Sequence, residues 1–191
     1  MRWIVGLGNP GPDYAVTRHN VGRMVVELLS QRWRVPLRQR LCSAKVGEGM
    51  WEGRPLGLAL PETMMNASGK TVGCLARRRQ LEPADLLVVL DDVSLSLGGI
   101  RIRARGSGGG HLGLTSVLEA VGTEEVPRLR VGIGPGPRQG LTEFVLARFT
   151  PRERKKLEAG LEDAMGACEV WMTEGVPAAM NRFNRRMVEK R

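Results

Sequence analysis

The sequence predicts an α/β fold, in which helices flank both faces of a twisted, mixed β-sheet within a single compact domain. The chain has 191 residues, which is the length of one domain of this class. Short apolar runs typical of strands alternate with longer segments of helical spacing. Two strand-like segments that flank a short turn indicate an antiparallel pair, so we expect a mixed sheet.

The amino-terminal half is predicted to hold four strands and two helices. Asn20 is the expected N-cap of the first helix and Ser68 that of the second, because each polar residue precedes apolar side chains at helical spacing. Glu52 and Gly53 have the composition of a hairpin turn. A continuous apolar run before Asp91 indicates a central strand that is covered on both faces. The four strands are expected at residues 3–7, 44–47, 56–60 and 86–90.

A basic strand is predicted in the second half. Apolar residues alternate with arginine from residue 100 to 105, so one strand face is buried and the other carries only guanidinium groups. Such side chains lie about 7 Å apart, twice the rise per residue, which suits successive phosphates. We interpret this face as a phosphate-contacting surface rather than a solvated one, and the next strand, at residues 129–133, could extend it. The arginines concerned are Arg101, Arg103 and Arg105, with Arg128 and Arg130 beside them.

Helices complete the second half. A glycine-rich loop at residues 106–110 leads into helical spacing between Leu114 and Val121, and Thr150 begins a capping box for a helix that reaches about residue 173. No linker divides the chain, so residues 1–191 are predicted to form one domain with a helical carboxy-terminal segment from about residue 150. The chain ends in a basic tail that contains Arg185, Arg186, Lys190 and Arg191.

Charge and cysteine content indicate a partner and a compartment. The formal net charge is +9, and arginine far outnumbers lysine, which suits a phosphate-rich partner such as a nucleic acid. Cys42, Cys74 and Cys168 are odd in number and far apart, which argues against disulfides and against a cysteine zinc site, and so predicts a cytoplasmic protein. No apolar run is long enough to cross a bilayer, so no membrane partner is expected.

His19 and Asp91 are the strongest candidates for chemistry. His19 follows the first predicted strand, at the edge of the sheet where α/β sites form, although a loop histidine that bonds a helix start is the simpler interpretation. Asp91 and Asp92 end the buried central strand, either as an ordinary turn or as carboxylates of which one orients a histidine. No elbow serine occurs and no cysteine lies near His19 or His111 in sequence, so a hydrolase would use activated water.

Amide and methionine side chains allow two interpretations each. Asn9 and Asn66 are either turn and cap residues or donors that hold a carbonyl oxygen. Met64 and Met65 belong either to the core or to a pliable ligand surface. The Gly-x-Gly at Gly6 lacks the third glycine of a dinucleotide fingerprint, and no histidine spacing supports a metal, so neither a cofactor nor a metal is predicted.

The order and spacing of these motifs resemble the bacterial-type peptidyl-tRNA hydrolases over nearly the whole chain. The resemblance implies a monomeric single-domain α/β enzyme that needs no cofactor. It also implies hydrolysis of the ester between a peptidyl or N-blocked aminoacyl group and the 3′ end of tRNA. The matching segments are residues 5–11, 17–22, 65–69, 109–111, 113–114 and 128–134, with Tyr14, Pro61 and Asp91.

The resemblance also assigns roles to residues of this chain. It makes His19 the catalytic base and Asp91 the aspartate that supports it, while Asn9 distinguishes blocked from free aminoacyl ends and Asn66 holds the substrate. His111 is placed in a mobile glycine-rich gate over the site. The substrate-lining positions are Tyr14, Met64, Met65, His111 and Leu112, and the basic positions that hold tRNA phosphate are Arg103 and Arg130, flanked by Arg101 and Arg105.

One residue departs from the family pattern. Leu112 stands where the family usually has asparagine, and leucine cannot donate a hydrogen bond, which is worth about 0.5–1.5 kcal/mol. We therefore expect weaker binding or slower turnover. Two other functions stay open: a non-catalytic RNA-binding relative of the same fold, and an unrelated small esterase or nucleotide-binding enzyme that shares only the fold class.

Overall fold

The computed structural model describes residues 1–137 and 139–184, so the basic tail predicted at residues 185–191 lies outside the described residues. Within this part of the chain, seven strands form one sheet. The strands are β1 (Arg2–Gly6), β2 (Gln39–Leu41), β3 (Ala44–Trp51), β4 (Arg54–Pro61), β5 (Leu86–Asp92), β6 (Ile100–Arg103) and β7 (Arg128–Gly132). The helices are α1 (Val21–Arg32), α2 (Ser68–Arg79), α3 (Leu112–Val121), α4 (Leu141–Leu146), α5 (Pro151–Glu174) and α6 (Val176–Phe183).

The sheet is mixed, as predicted, with the strand order β2-β3-β4-β1-β5-β7-β6. Strands β4, β1, β5 and β7 are parallel and form the centre, while β2, β3 and β6 are antiparallel to their neighbours. Because the central strands are parallel, their carboxyl ends meet at one edge of the sheet. The loops that follow β1, β5 and β7 are therefore brought together there.

Alternating side chains of the central strands feed two apolar layers. Ile4 of β1 joins one layer with α1, α5 and α6, whereas its neighbours Trp3 and Val5 join the other with α2 and α3. All residues of β5 are buried, which confirms the prediction of a central strand covered on both faces. The predicted fold class, an α/β sheet flanked by helices on both faces, is confirmed.

Local predictions differ in outcome. The Thr150 capping box is confirmed, since its hydroxyl accepts from the Glu153 N–H and the Glu153 carboxylate accepts from the Thr150 N–H. Asn20 occupies the predicted N-cap position of α1, although its side chain makes no capping hydrogen bond, whereas the prediction of Ser68 as the N-cap of α2 is wrong. Ser68 is the first residue of α2, and its hydroxyl donates to the Met65 carbonyl at 2.8 Å. Both helices follow a 3₁₀ turn (Arg18–Asn20 and Met65–Ala67), so the chain enters each helix already coiled.

The prediction that the cysteines stay unpaired is wrong, because Cys42 and Cys74 form a disulfide across 32 residues of sequence. The odd count was misleading, since Cys168 is buried in α5 and takes no part. Sequence distance was misleading as well, because the turn after β2 packs against α2, where the Thr71 hydroxyl donates to the Ser43 carbonyl at 3.3 Å. The predicted compartment therefore loses the support that it drew from unpaired cysteines.

The structure also tests one predicted strand end and one predicted turn. The basic strand β6 ends at Arg103, so Arg105 lies beyond it rather than on the predicted strand face. The Glu52-Gly53 turn joins β3 and β4 with positive φ at both residues, as a tight hairpin requires. Among the residues described, no helix combines the length and apolarity needed to cross a membrane.

Candidate active site

A histidine–aspartate pair lies at the carboxyl edge of the central strands. His19 belongs to the 3₁₀ turn that follows β1, and Asp91 lies at the end of the adjacent strand β5. His19 Nδ1 is 2.8 Å from Asp91 Oδ1. An ionised carboxylate can only accept, so Nδ1 carries the proton and Nε2 keeps its lone pair. That arrangement leaves Nε2 able to take a proton from water.

His111 contacts the same carboxylate oxygen. Its Nε2 lies 2.9 Å from Asp91 Oδ1, and its Nδ1 accepts from the Leu114 N–H at 3.1 Å as the N-cap of α3. This pair of partners assigns the proton of His111 to Nε2 and its lone pair to Nδ1. The structure places the His111 ring between Asp91 and the start of α3, at the end of the glycine-rich loop that was predicted to form a mobile gate.

The two histidines keep Asp91 ionised. Burial by itself would raise the pKa of Asp91, but the attraction of His111 and the hydrogen bonds from both rings outweigh it and lower the pKa to about 2. The carboxylate is thus charged at neutral pH. It can orient the His19 ring and stabilise the imidazolium that forms when Nε2 accepts a proton.

The same three residues are also the donors that a metal ion would need. Nitrogen or oxygen atoms of His19, Asp91 and His111 lie within 4.8 Å of one another, although nothing in their sequence spacing indicated a metal site. Ligation by His111 Nε2 would require moving its proton to Nδ1, which would then confront the Leu114 N–H. The protonation states therefore favour a hydrogen-bonded triad over a metal chelate.

Asn9 is held in one orientation by its neighbours. It is buried, and its Oδ1 accepts from the Met65 N–H at 2.8 Å. The Asn20 side chain bonds to both backbone groups of Asn9: its Oδ1 accepts from the Asn9 N–H and its Nδ2 donates to the Asn9 carbonyl, both at 2.8 Å. Sequence reasoning missed this role of Asn20. The result leaves the Asn9 Nδ2 group as the donor available to a ligand.

The other predicted substrate contacts divide into exposed and buried residues. Asn66 is exposed on the 3₁₀ turn before α2, and Met64 is 48% exposed beside it. Tyr14 is half-buried in the loop before His19. Met65, however, is 4% exposed, and a Cβ at Gly113 would lie 2.4 Å from its sulfur. The structure thus places Met65 in the core, where it supports Asn9 through its backbone.

A cavity of about 600 Å³ opens next to the triad. Its walls comprise the glycine-rich loop, Arg103 of β6, both arginines of β7, and apolar residues of α4. Leu112 lies on this cavity and is 65% exposed. The residues that line the cavity include His19, Asp91, His111, Leu112, Arg103, Arg105, Arg128, Arg130, Leu141 and Val145.

Four of the arginines face one another across two strands. In the antiparallel register of β6 and β7, Arg101 pairs with Arg130, and Arg103 pairs with Arg128. Like charges directly opposite one another destabilise a sheet, so this arrangement favours an anionic group near those guanidinium groups that have no partner within the described protein.

The arginines nevertheless have different surroundings. Arg130 Nε lies 2.9 Å from buried Asp92 Oδ2 in an ion pair that is not an aligned hydrogen bond, and exposed Arg105 pairs with Glu125 at 3.2 Å. Arg128 is buried and donates to backbone carbonyls, including Gly106 at 2.6 Å. Arg103 is exposed with no acidic partner among the described residues, and Arg101 is half-buried. Arg103 and Arg130 thus lie on the cavity, while Arg128 supports its loop.

Comparisons with known proteins place these features in a family. The family model described as Peptidyl-tRNA hydrolase matches residues 3–191. A peptidyl-tRNA hydrolase from Synechococcus sp. (strain JA-3-3Ab) is 47% identical over 96% of this chain and 83% of its own length. That of Symbiobacterium thermophilum is 46% identical over 95% of this chain and 97% of its own length. The crystal structure of peptidyl-tRNA hydrolase from Acinetobacter baumannii superposes with a TM-score of 0.91 at 34% identity, covering 96% of this chain and 94% of that one. The chain belongs to the peptidyl-tRNA hydrolase family.

Proposed function

We propose that this protein hydrolyses the ester that joins a peptide, or an N-blocked amino acid, to the 3′ end of tRNA, and so recycles tRNA from stalled or dropped-off peptidyl-tRNA. One observation carries the proposal: the hydrogen-bonded pair of His19 and Asp91 lies at the end of a cavity whose other wall holds arginines. A base beside a phosphate-binding wall suits an ester attached to a nucleic acid. Family membership supports the same reaction.

In the proposed mechanism, water is the nucleophile. His19 Nε2 takes a proton from water as its oxygen bonds to the ester carbonyl carbon, and Asp91 stabilises the resulting imidazolium. The tetrahedral intermediate then breaks its bond to the ribose oxygen, which receives the proton from Nε2. The products are the free carboxylic acid of the peptide and tRNA with an intact terminal hydroxyl.

Asn9, Asn66 and His111 would act around this step. The Asn9 Nδ2 group and the exposed Asn66 amide are donors for carbonyl oxygens of the substrate, and one well-placed donor typically contributes about 10²–10³ in rate. His111 holds Asp91 through a second hydrogen bond to the oxygen that His19 contacts. Tyr14, Met64 and Leu112 would line the path of the aminoacyl or peptide group.

Binding of the tRNA would rest on charge. Arg103 and Arg130 are the proposed contacts to phosphate, with Arg101 and Arg105 adding to the field, so binding should weaken steeply with salt. We further propose that residues 1–191 act as one unit, as a monomer, and in the cytoplasm, where tRNA is charged and used.

The test is cleavage of N-acetyl-aminoacyl-tRNA, with unblocked aminoacyl-tRNA as the parallel substrate. We expect cleavage of the blocked substrate alone. The His19→Ala variant should lose about 10²–10⁴ in kcat, because general-base catalysis is removed, while its affinity for tRNA persists. Near-normal turnover by His19→Ala would contradict the mechanism. If the wild-type protein binds tRNA without cleaving it, the chain is a non-catalytic RNA-binding relative.

A further inference from the structure

A second basic surface lies outside the cavity, at the start of α5. Five exposed cationic side chains occur between residues 148 and 156, and none has an acidic partner among the described residues. Glu153 is the acidic residue of the same stretch, and it is already bound by Arg18. We call this patch the α5 basic surface: Arg148, Arg152, Arg154, Lys155 and Lys156.

The fold gives these charges no structural reason to be there. The amino-terminal turns of a helix carry a partial positive charge, so cations are unfavourable there and acidic residues are preferred. Thr150 and Glu153 already cap the helix by mutual hydrogen bonds. Arg154 Nε donates to the Phe149 carbonyl, but the described structure shows no contact made by the charged groups of Lys155 and Lys156. An external anion would explain their presence.

The α5 basic surface is linked through Arg18 to the 3₁₀ turn that holds His19. Arg18, the residue before His19, is buried and donates through Nη1 to the Arg148 carbonyl at 2.8 Å and through Nη2 to Glu153 at 2.9 Å. Its guanidinium also lies over the Phe144 ring, 4.7 Å from the centroid. An object bound to the start of α5 is therefore held at a fixed position relative to His19.

The surface also continues from the cavity. Leu141 and Val145 of α4 line the cavity, and α4 ends two residues before Arg148. Along α5, Arg152 shares a helix face with Lys155 and Lys156, since residues three and four apart are neighbours about 5–6 Å apart. That spacing is close to the distance between successive phosphates of a nucleic-acid strand.

We propose that the α5 basic surface binds the phosphate backbone of the tRNA stem, beyond the terminal nucleotides that carry the ester. This inference rests on the proposed function, because it places the body of the same substrate. Contacts of this kind orient a nucleic acid without reading its sequence. Arg18 and Glu153 transmit that position to the turn that holds His19.

The test compares two substrates: N-acetyl-aminoacyl-tRNA and the same N-acetyl-aminoacyl ester on a CCA trinucleotide. The variant carries Arg152→Gln, Lys155→Gln and Lys156→Gln, which remove charge from side chains that bond no other described residue. We expect KM for the full tRNA to rise at least tenfold, whereas kcat and the KM for the trinucleotide ester stay at wild-type values. For the full tRNA substrate, log(kcat/KM) should decrease less steeply with log salt in the variant. The magnitude of the slope should be smaller by about 0.9 for each phosphate that the variant no longer neutralises.

A charge-matched control carries Arg54→Gln, Arg77→Gln and Arg78→Gln. These exposed residues lie at the start of β4 and the end of α2, at the sheet edge opposite the site. The control should keep the wild-type KM and salt slope. The proposal would be contradicted if the two triple variants raised KM for the full tRNA equally. It would also be contradicted if the α5 variant kept the wild-type KM at an unchanged Tm. If the wild-type protein cleaves neither substrate, the proposed function fails instead, and direct tRNA binding by the same variants still tests the surface.

Discussion

Asp91 Oδ1 is the point on which the site converges, because both histidines of the chain donate to it. Sequence reasoning selected His19 and Asp91 from their positions after predicted strands. It could not foresee the contact with His111, since 20 residues and a glycine-rich loop separate that residue from Asp91 and only the folded loop brings them together. The contact of Asn20 with Asn9 was missed for a different reason: Asn20 does lie at the N-cap of α1, and capping is the commoner use of an asparagine side chain there.

The charge state of Asp91 yields a prediction on stability. Its folded-state pKa of about 2 lies below the ordinary value of 3.8, so its contribution is fully present above pH 3.8 and is lost as the pH falls through about 2. This shift corresponds to about 2 kcal/mol in the free energy of unfolding. The free energy of unfolding can be measured with denaturant for the wild type and for Asp91→Asn. The difference between the two values should be constant from neutral pH to about pH 4 and should become smaller below it. A difference that already narrows between about pH 7 and 5 would contradict the assignment.

Leu112 yields a prediction on activity. Its side chain is 65% exposed on the cavity, so Leu112→Asn removes little packing and adds a donor near the site. We expect kcat/KM for N-acetyl-aminoacyl-tRNA to rise by about 2- to 12-fold, the equivalent of one hydrogen bond of about 0.5–1.5 kcal/mol. Tm should stay unchanged. A lower kcat/KM would indicate that the substrate group in this part of the cavity is apolar.

Among the elements, those with a clear apolar pattern were predicted, whereas β2 and α4 were missed. The central strand β5 and the long helix α5 carry clear apolar patterns, and α5 also has a capping box. Strand β2 has three residues, none fully buried, and α4 has six residues, none fully buried, so neither leaves an apolar period in the sequence. Strand β6 stops at Arg103 because the chain turns away toward the glycine-rich loop, which the alternation of residue types does not encode.

The disulfide between the β2–β3 turn and α2 yields a prediction at this scale. Closing a loop between residues 32 apart should stabilise the fold by about 3–4 kcal/mol under the chain-entropy account. Cys42→Ser should therefore lower Tm by several degrees without reductant. A thiol reductant should lower the Tm of the wild type to that of the variant. Equal Tm values for the oxidised wild type and Cys42→Ser would show that the crosslink contributes nothing.

For the molecule as a whole, the parallel centre of the sheet explains why His19 and Asp91, 72 residues apart in sequence, are hydrogen-bonded to each other. His19 follows β1 and Asp91 lies at the end of β5, and the carboxyl ends of these two central strands lie at the same edge of the sheet. The fold class followed from the sequence because strand and helix signals alternate throughout. The assembly of the site depends on strand order, which the sequence does not state, and on the loop path that carries His111 to Asp91.

The buried Arg128 also determines how this molecule can open. Its guanidinium secures the first part of the glycine-rich loop through the Gly106 and Ser107 carbonyls, and His111 secures the last part through Asp91. Gly108 lies tight against Thr115, so even the middle is partly confined. Because the glycine-rich loop is held at both ends, we do not expect it to move aside as a hinged lid. We therefore expect the substrate to enter beneath a glycine-rich loop that moves little. Its backbone motion should be concentrated at Gly109 and Gly110, two adjacent residues of positive φ.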